Sequence, residues 1–337
     1  DVTGRWTDEE VTEALSQFAI LALRAAVAAL LREGHDTGNL SLSYPDEPER
    51  DCGFIVLGMG KLSAGELNYS SDIDLILLFD DQVAPYTGAR SAQEYFVRLS
   101  RQLCRVLEDR TGDGYVFRTD LRLRPDPGST PPVISVIAAE TYYESIGQNW
   151  ERAAMIKARP VAGDIAAGER FLESLRPFIW RRSLDFAAIE DIHSIKRQIN
   201  AHRGGNRIAV AGHNVKLGRG GIREIEFFAQ TQQLIWGGRD ATLRPQRTCS
   251  ALRALVAADH VEAATADVLI EDYWFLRRVE HRLQMIDDQQ THELPTDETK
   301  LNAFAAFMGM EREGPNGLDE RISSTLHRVE HIYGLLF

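Results

Sequence analysis

Cysteine is scarce in this 337-residue chain: Cys52, Cys104 and Cys249 stand far apart, odd in number and without a Cys-x-x-Cys pair. That pattern excludes a disulfide scaffold and a cysteine-based zinc site, and it fits a reduced, cytoplasmic setting. Positive charge is also short, with 38 Lys and Arg against 50 Asp and Glu, for a net charge of −12. Such an acidic balance argues against nucleic acid or an anionic membrane as the main partner. No apolar run approaches the roughly 20 residues that cross a bilayer, so no membrane segment is expected. Signal-peptide pattern, internal repeat and low-complexity tract are all missing. The chain opens on Asp1 and stops in "IYGLLF", which reads as a segment of a longer protein.

What is present is ordinary for a globular protein, with 44% hydrophobic and 26% charged residues and length enough for two domains. Thr7 and Glu10 have capping-box spacing ahead of an apolar pattern from Val11 to Leu31, which predicts a long helix. "FIVLG" predicts a short buried strand ending in a glycine turn, and "DIDLILLF" a second, central strand. Ser91 and Glu94 repeat the capping-box spacing and open a helix through about Arg110. In "YVFRTDLRLRP" the charged residues Arg118, Asp120, Arg122 and Arg124 alternate with apolar ones, predicting a two-faced strand ended by Pro125. Beyond Ala138 strand signals fade. Helical patterns recur at 142–150, 165–179, 184–202, 222–236, 268–288 and 322–336. The expected fold is α+β, a small mixed sheet with helices over residues 1–164, followed by an all-helical domain over 165–337.

The acids of the second strand raise the question of function. Asp72 and Asp74 lie two apart, so both carboxylates leave the strand on one face. They repel unless a cation lies between them, and hard oxygen ligands at this spacing suit Mg²⁺. Asp120, on another strand, is a candidate third ligand, with Arg118, Arg122 and Arg124 available to neutralise phosphate charge. The competing reading is that Asp120 pairs with those arginines and Asp72 caps its strand. The glycine turn before the acids is no P-loop, because Ile55 stands where a Walker A glycine is needed and Leu62 follows Lys61. It is no dinucleotide fingerprint either, since Ser63 takes the third glycine position. "HRVEH" at the end has inverted zinc-protease spacing without a third ligand, and a chance pair of helical histidines explains it. In "NVKLGRGGIREIEF", a glycine-rich turn runs into a helix beside Lys216 and Arg223. It predicts either an anion site on backbone N–H groups or a hinge held by Arg–Glu ion pairs.

Together these residues resemble the polymerase-β-like nucleotidyltransferases, in which a glycine turn, an Asp-x-Asp at a strand start and a later strand Asp form the active site. More narrowly, "GMGKLSAGELNYSSDIDLILLF", "FRTDLRLRPDPGS", "WERAAMIKARPVAGD" and "NVKLGRGGIREIEFFAQ" resemble the glutamine synthetase adenylyltransferase/adenylyl-removing enzyme family. Ser63 and Ala64 depart from the glycines usual there. The forms "GMGK…GELNYSSDID" and "YYESIGQNWERAAMIKARPVAGD" are similar to the amino-terminal, adenylyl-removing half.

The resemblance implies Mg²⁺ held by Asp72, Asp74 and Asp120. It implies phosphate contacts from Gly60, Lys61, Ser70, Ser71, Arg122 and Arg124, with Lys216 and Arg223 as further candidates. Its reaction is phosphorolysis of adenylyl-tyrosine on glutamine synthetase by orthophosphate, giving ADP, with a PII-type signalling protein as regulator. Forward adenylylation from ATP, and a binding module of the same shape without chemistry, are the alternatives. A DNA-repair polymerase is disfavoured by the acidic charge.

Overall fold

The computed structural model describes residues 2–181, 208–286 and 288–335. The chain divides into two compact units. One holds Glu9–Leu67 and Ser71–Arg181; the other holds Asp1–Asp8, Asn68–Ser70 and Arg182–Phe337. The expected helix over 184–202 lies outside the described residues.

The first unit is built on a mixed five-stranded sheet in the order β3 (Thr119–Asp120), β2 (Ile73–Phe79), β1 (Phe54–Gly58), β5 (Arg159–Gly163), with β4 (Val133–Ser135) also paired to β2. Strands β1 (Phe54–Gly58) and β2 (Ile73–Phe79) are antiparallel, Phe54 opposite Phe79 and Gly58 opposite Leu75. Both are almost wholly buried, as continuous apolar runs require. On one face, α1 (Asp8–Asp36) presents Ala19, Leu23, Val27 and Leu31 at four-residue spacing to Val56, Leu75 and Leu77. Beside it, α3 (Ala92–Glu108) adds Phe96, Leu99 and Leu103. Phe96 stacks on both Phe54 and Phe79, at centroid distances of 5.8 and 4.9 Å. The expected capping of α3 is present, with the Ser91 side chain accepting from the Glu94 amide.

Three expectations are corrected here. The two-faced strand of "YVFRTDLRLRP" shrinks to β3 (Thr119–Asp120), parallel to β2. The Asp120 carboxylate accepts the Arg122 amide at 2.8 Å and so turns the chain out of the sheet; an Asx turn of this kind competes with strand geometry. Strand signals also do not end at Ala138, because β5 (Arg159–Gly163) pairs antiparallel with β1. Its Pro160 argues against a strand in sequence, yet β5 is an edge strand and its register shifts at Val56/Leu57, where a proline is tolerated. Finally, α1 is, by length and composition alone, apolar enough to cross a bilayer, which the sequence reading did not expect of any run. Its inner face belongs to the core of this unit.

After β4 (Val133–Ser135) the expected helix at 142–150 is two, α4 (Val136–Ser145) and α5 (Asn149–Met155). That at 165–179 is also two, α6 (Ile165–Ser174) and α7 (Arg176–Ile179), the latter with Pro177 in its first turn. A short helix, α2 (Gly60–Ala64), follows the glycine turn directly. α6 packs on β5 and β1, and the compact unit that holds them extends to Arg181.

The described residues of the second unit form helices α8 (Ile222–Trp236), α9 (Thr248–Ala257), α10 (Ala263–Met285), α11 (Glu298–Phe307) and α12 (Leu318–Gly334). Ile225, Leu252, Tyr273, Leu276, Ile322 and Leu326 centre its core. Asp272 of α10 is buried and accepts from Arg328 of α12 at 2.5 Å. The small mixed sheet with helices, followed by a unit whose described elements are all helices, is the α+β arrangement expected from sequence.

Gly163 closes β5 at φ +72°, and a Cβ there would lie 2.1 Å from the Phe54 carbonyl oxygen. Gly163→Ala is therefore expected to cost at least about 2 kcal/mol. The measurement is a urea midpoint falling at unchanged slope.

Candidate active site

The parallel register of β2 and β3 sets Asp74 opposite Asp120, and Ile73 opposite Thr119. Directly opposed residues share a face of the sheet, and Asp72 shares it with Asp74 by the two-residue period. Asp74 is half-buried, on the face of Ile76 and Leu78. The glycine turn meets it from the neighbouring strand: Met59 donates its amide to the Asp74 carbonyl at 2.9 Å. Gly60 has φ +52°, and a Cβ there would be 3.4 Å from Asp74 Oδ2. Its lack of a side chain leaves the carboxylate face open. Lys61 is the next residue, inside α2.

Two of the three acids hold arginines. Arg118 Nε donates to Asp72 Oδ1 at 2.7 Å, and Arg118 Nη1 to the Tyr115 hydroxyl at 2.6 Å. Arg122 forks onto Asp120 through Nε and Nη2, at 2.9 and 2.5 Å, while its own side chain is 83% exposed. Burial pushes the Asp120 carboxyl up, and the Arg122 hydrogen bonds and charge outweigh this, holding it below the ordinary range. Arg124 has a different partner set, donating to the Leu121, Pro127 and Thr130 carbonyls; it braces the turn after β3.

Among the described residues no three His, Cys, Asp or Glu side chains close around a single point as a metal cage would. The donor chemistry nonetheless fits a hard divalent cation: three carboxylates on one face, an uncovered approach at Gly60, and arginines supplying the positive charge these acids demand. Asp72, Asp74 and Asp120 are the residues that would hold it.

The other sequence candidates fall elsewhere. The Ser71 hydroxyl donates to the Asp72 carbonyl at 3.1 Å. Ser70 belongs to the helical unit, where its amide and hydroxyl bond Gln284 Oε1 and the Asp288 carbonyl. Lys216 and Arg223 are also in that unit. At the start of α8 the amides of Ile222, Arg223 and Glu224 donate to the Val215, Lys216 and Gly221 carbonyls, so the turn itself uses the backbone groups expected to bind an anion. Asn214 Oδ1 takes the Lys216 and Leu217 amides. In "HRVEH" the His327 ring meets the Ser323 carbonyl and Glu330 pairs with Arg219, consistent with a fortuitous motif.

Two features escaped the sequence reading. Lys157 and Glu66, both buried, form an ion pair at 3.0 Å, and the Ser63 hydroxyl donates to the Lys157 carbonyl. Arg159 stands opposite Gly58 in the β1–β5 register, half-buried, its Nε without a partner. Burial pushes its pKa down, the mark of a cation short of anionic company. The signal available was "MIKARP", two cations flanking a small residue in an otherwise apolar segment.

Comparison with known proteins gives two family matches: residues 1–174 to glutamate-ammonia ligase adenylyltransferase, and residues 192–337 to GlnD PII-uridylyltransferase. Curated relatives named bifunctional glutamine synthetase adenylyltransferase/adenylyl-removing enzyme include those of Rhizobium meliloti and Agrobacterium fabrum. Each is 56% identical over all of this chain. That of Xanthobacter autotrophicus is 55% identical over 92% of it. The chain spans about a third of the length of these relatives, 34% for the first two.

Lys157→Met should remove the buried cation paired with Glu66 and cost about 3–5 kcal/mol in denaturant unfolding; adding Glu66→Leu should recover most of the loss. Arg122→Ala should raise the Asp120 titration midpoint, followed by carboxyl carbon NMR. With Arg122 present, the pair's stabilisation is complete above the ordinary carboxylate value of about 3.9 and is lost as pH falls through the lowered folded value.

Proposed function

Because the chain belongs to the glutamate-ammonia ligase adenylyltransferase family, we propose that it removes AMP from an adenylylated tyrosine of glutamine synthetase, with orthophosphate as acceptor. A phosphate oxygen bonds to the AMP phosphorus, the bond from that phosphorus to the tyrosine oxygen breaks, and ADP and a protonated tyrosine leave. The observation that carries the reading is the Asp74–Asp120 register, with Asp72 on the same face and Gly60 at the open edge. When bound at these acids, Mg²⁺ supplies charge stabilisation to the phosphoryl oxygens.

The protein's own groups do the rest. Arg122 is exposed enough to swing from Asp120 to a phosphate oxygen, and Arg118 holds the Asp72 carboxylate in place. Gly60 leaves the approach open with Lys61 beside it, and Arg159 offers its unsatisfied Nε–H from β5. Arg124 acts by holding the turn that aims Arg122. The match of residues 192–337 supports a regulatory role for the helical unit toward a PII-type protein.

The direction of transfer rests on the resemblance of "GMGK…GELNYSSDID" to the removing half. Forward transfer of AMP from ATP is the second reading, since the relatives' names cover both activities.

Adenylylated glutamine synthetase incubated with the protein, Mg²⁺ and orthophosphate should release ADP, and omission of phosphate should stop it. Asp72→Asn with Asp74→Asn should slow release on the order of 10²-fold or more; unchanged release sinks the assignment. Transfer of label from ATP to unmodified glutamine synthetase would reverse the direction.

A further inference from the structure

A cavity of about 420 Å³ lies between the carboxyl-terminal half of α1 and the outer face of α3, built entirely from the sheet-bearing unit. Its floor is apolar, from the buried side chains of Leu30, Leu99 and Tyr95. Gly34 lets the two helices close on each other there: a Cβ on it would lie 2.1 Å from the Tyr95 hydroxyl. One wall is a row of exposed arginines, Arg98, Arg101 and Arg105. At spacings of three and four they share one face of α3, spread over about 10 Å of helix. Glu33 stands at the opposite rim.

The arginines are the unusual part. In a chain of net charge −12, carboxylates are plentiful, yet no carboxylate among the described residues pairs with any of the three. Glu108, three residues past Arg105, instead accepts the Thr119 amide at 2.8 Å. Arg101 and Arg105 are like charges four apart, an arrangement that opposes helix formation unless an anion relieves it. The Tyr95 hydroxyl is a hydrogen-bond donor at neutral pH, and burial pushes its pKa further up, to about 12.

We propose that this cavity binds a nucleoside di- or triphosphate, at a site separate from the carboxylate site. The guanidinium row takes the phosphates by charge-assisted, forked hydrogen bonds. Glu33 accepts from ribose hydroxyls, and the Leu30–Leu99–Tyr95 floor receives the base. The volume lies within the range of small-ligand sites. Occupancy would tie α1 to α3, the two helices covering one face of the sheet.

The test is calorimetric titration of ADP into the protein with EDTA present, which keeps any magnesium-dependent binding silent. The expected result is one ADP per chain, bound equally by Asp72→Asn/Asp74→Asn. Arg101→Glu/Arg105→Glu should bind at least tenfold more weakly, and Gln102→Trp, which fills the cavity, should lose binding. Both variants should melt within a few degrees of the parent, because the substituted positions are not in the core. Inorganic pyrophosphate should bind at least tenfold more weakly than ADP. Absence of cation-free binding, undiminished binding by both cavity variants, or equal affinity for pyrophosphate overturns the proposal. These readouts are independent of ADP release from glutamine synthetase, so either reading can fail alone.

Discussion

The ion pair of Lys157 with Glu66 is buried in the sheet-bearing unit, and its geometry bears on much of what surrounds it. Two charges so deeply buried gain little net stability, since desolvation offsets their attraction. What they supply is uniqueness. Separating the two charges is costly, so the pair favours the arrangement that brings the loop after α2 to the segment entering β5. Ser63, bonded to the Lys157 carbonyl, fastens α2 to the same point. Gly58 is then held between Leu75 on one side and Arg159 on the other, and the glycine turn meets Asp74.

Around that frame the acids and arginines form a graded set. Asp72 and Asp120 each hold a guanidinium, but the two arginines differ in freedom: Arg118 is tied also to Tyr115, while Arg122 stands in solvent. On the proposed reading, a phosphate entering this field would meet one fixed and one movable cation. Exposed pairs of the Arg122 type contribute little to stability, so little opposes their rearrangement when a substrate arrives.

Much of this was legible in sequence where the signal is local. "FIVLG" and "DIDLILLF" declared themselves by continuous apolar character, and Ser91 by its spacing to Glu94. Asp72, Asp74 and Asp120 stood out because carboxylates on strands demand an explanation. The rest turned on competition between signals or on distance along the chain. In "RTDLRLRP" a perfect alternation lost to one aspartate side chain capturing an amide two residues on. In β5, Pro160 masked a strand that only the sheet edge makes possible. The helix start at Ile222 had the composition of an anion site, but the tight turn before it already engages the amides. The Glu66–Lys157 pair joins residues 91 apart, and no local period reports such a contact.

Pro160 has a consequence beyond its own strand. An open sheet edge offers a row of donors and acceptors to any passing strand, and β5 is such an edge. A residue without an N–H, set beside an irregular register, interrupts that row near the start of the strand. The same imino acid that hid the strand from a reader of the sequence hides it from other polypeptides, and so guards the sheet against fibrillar self-association.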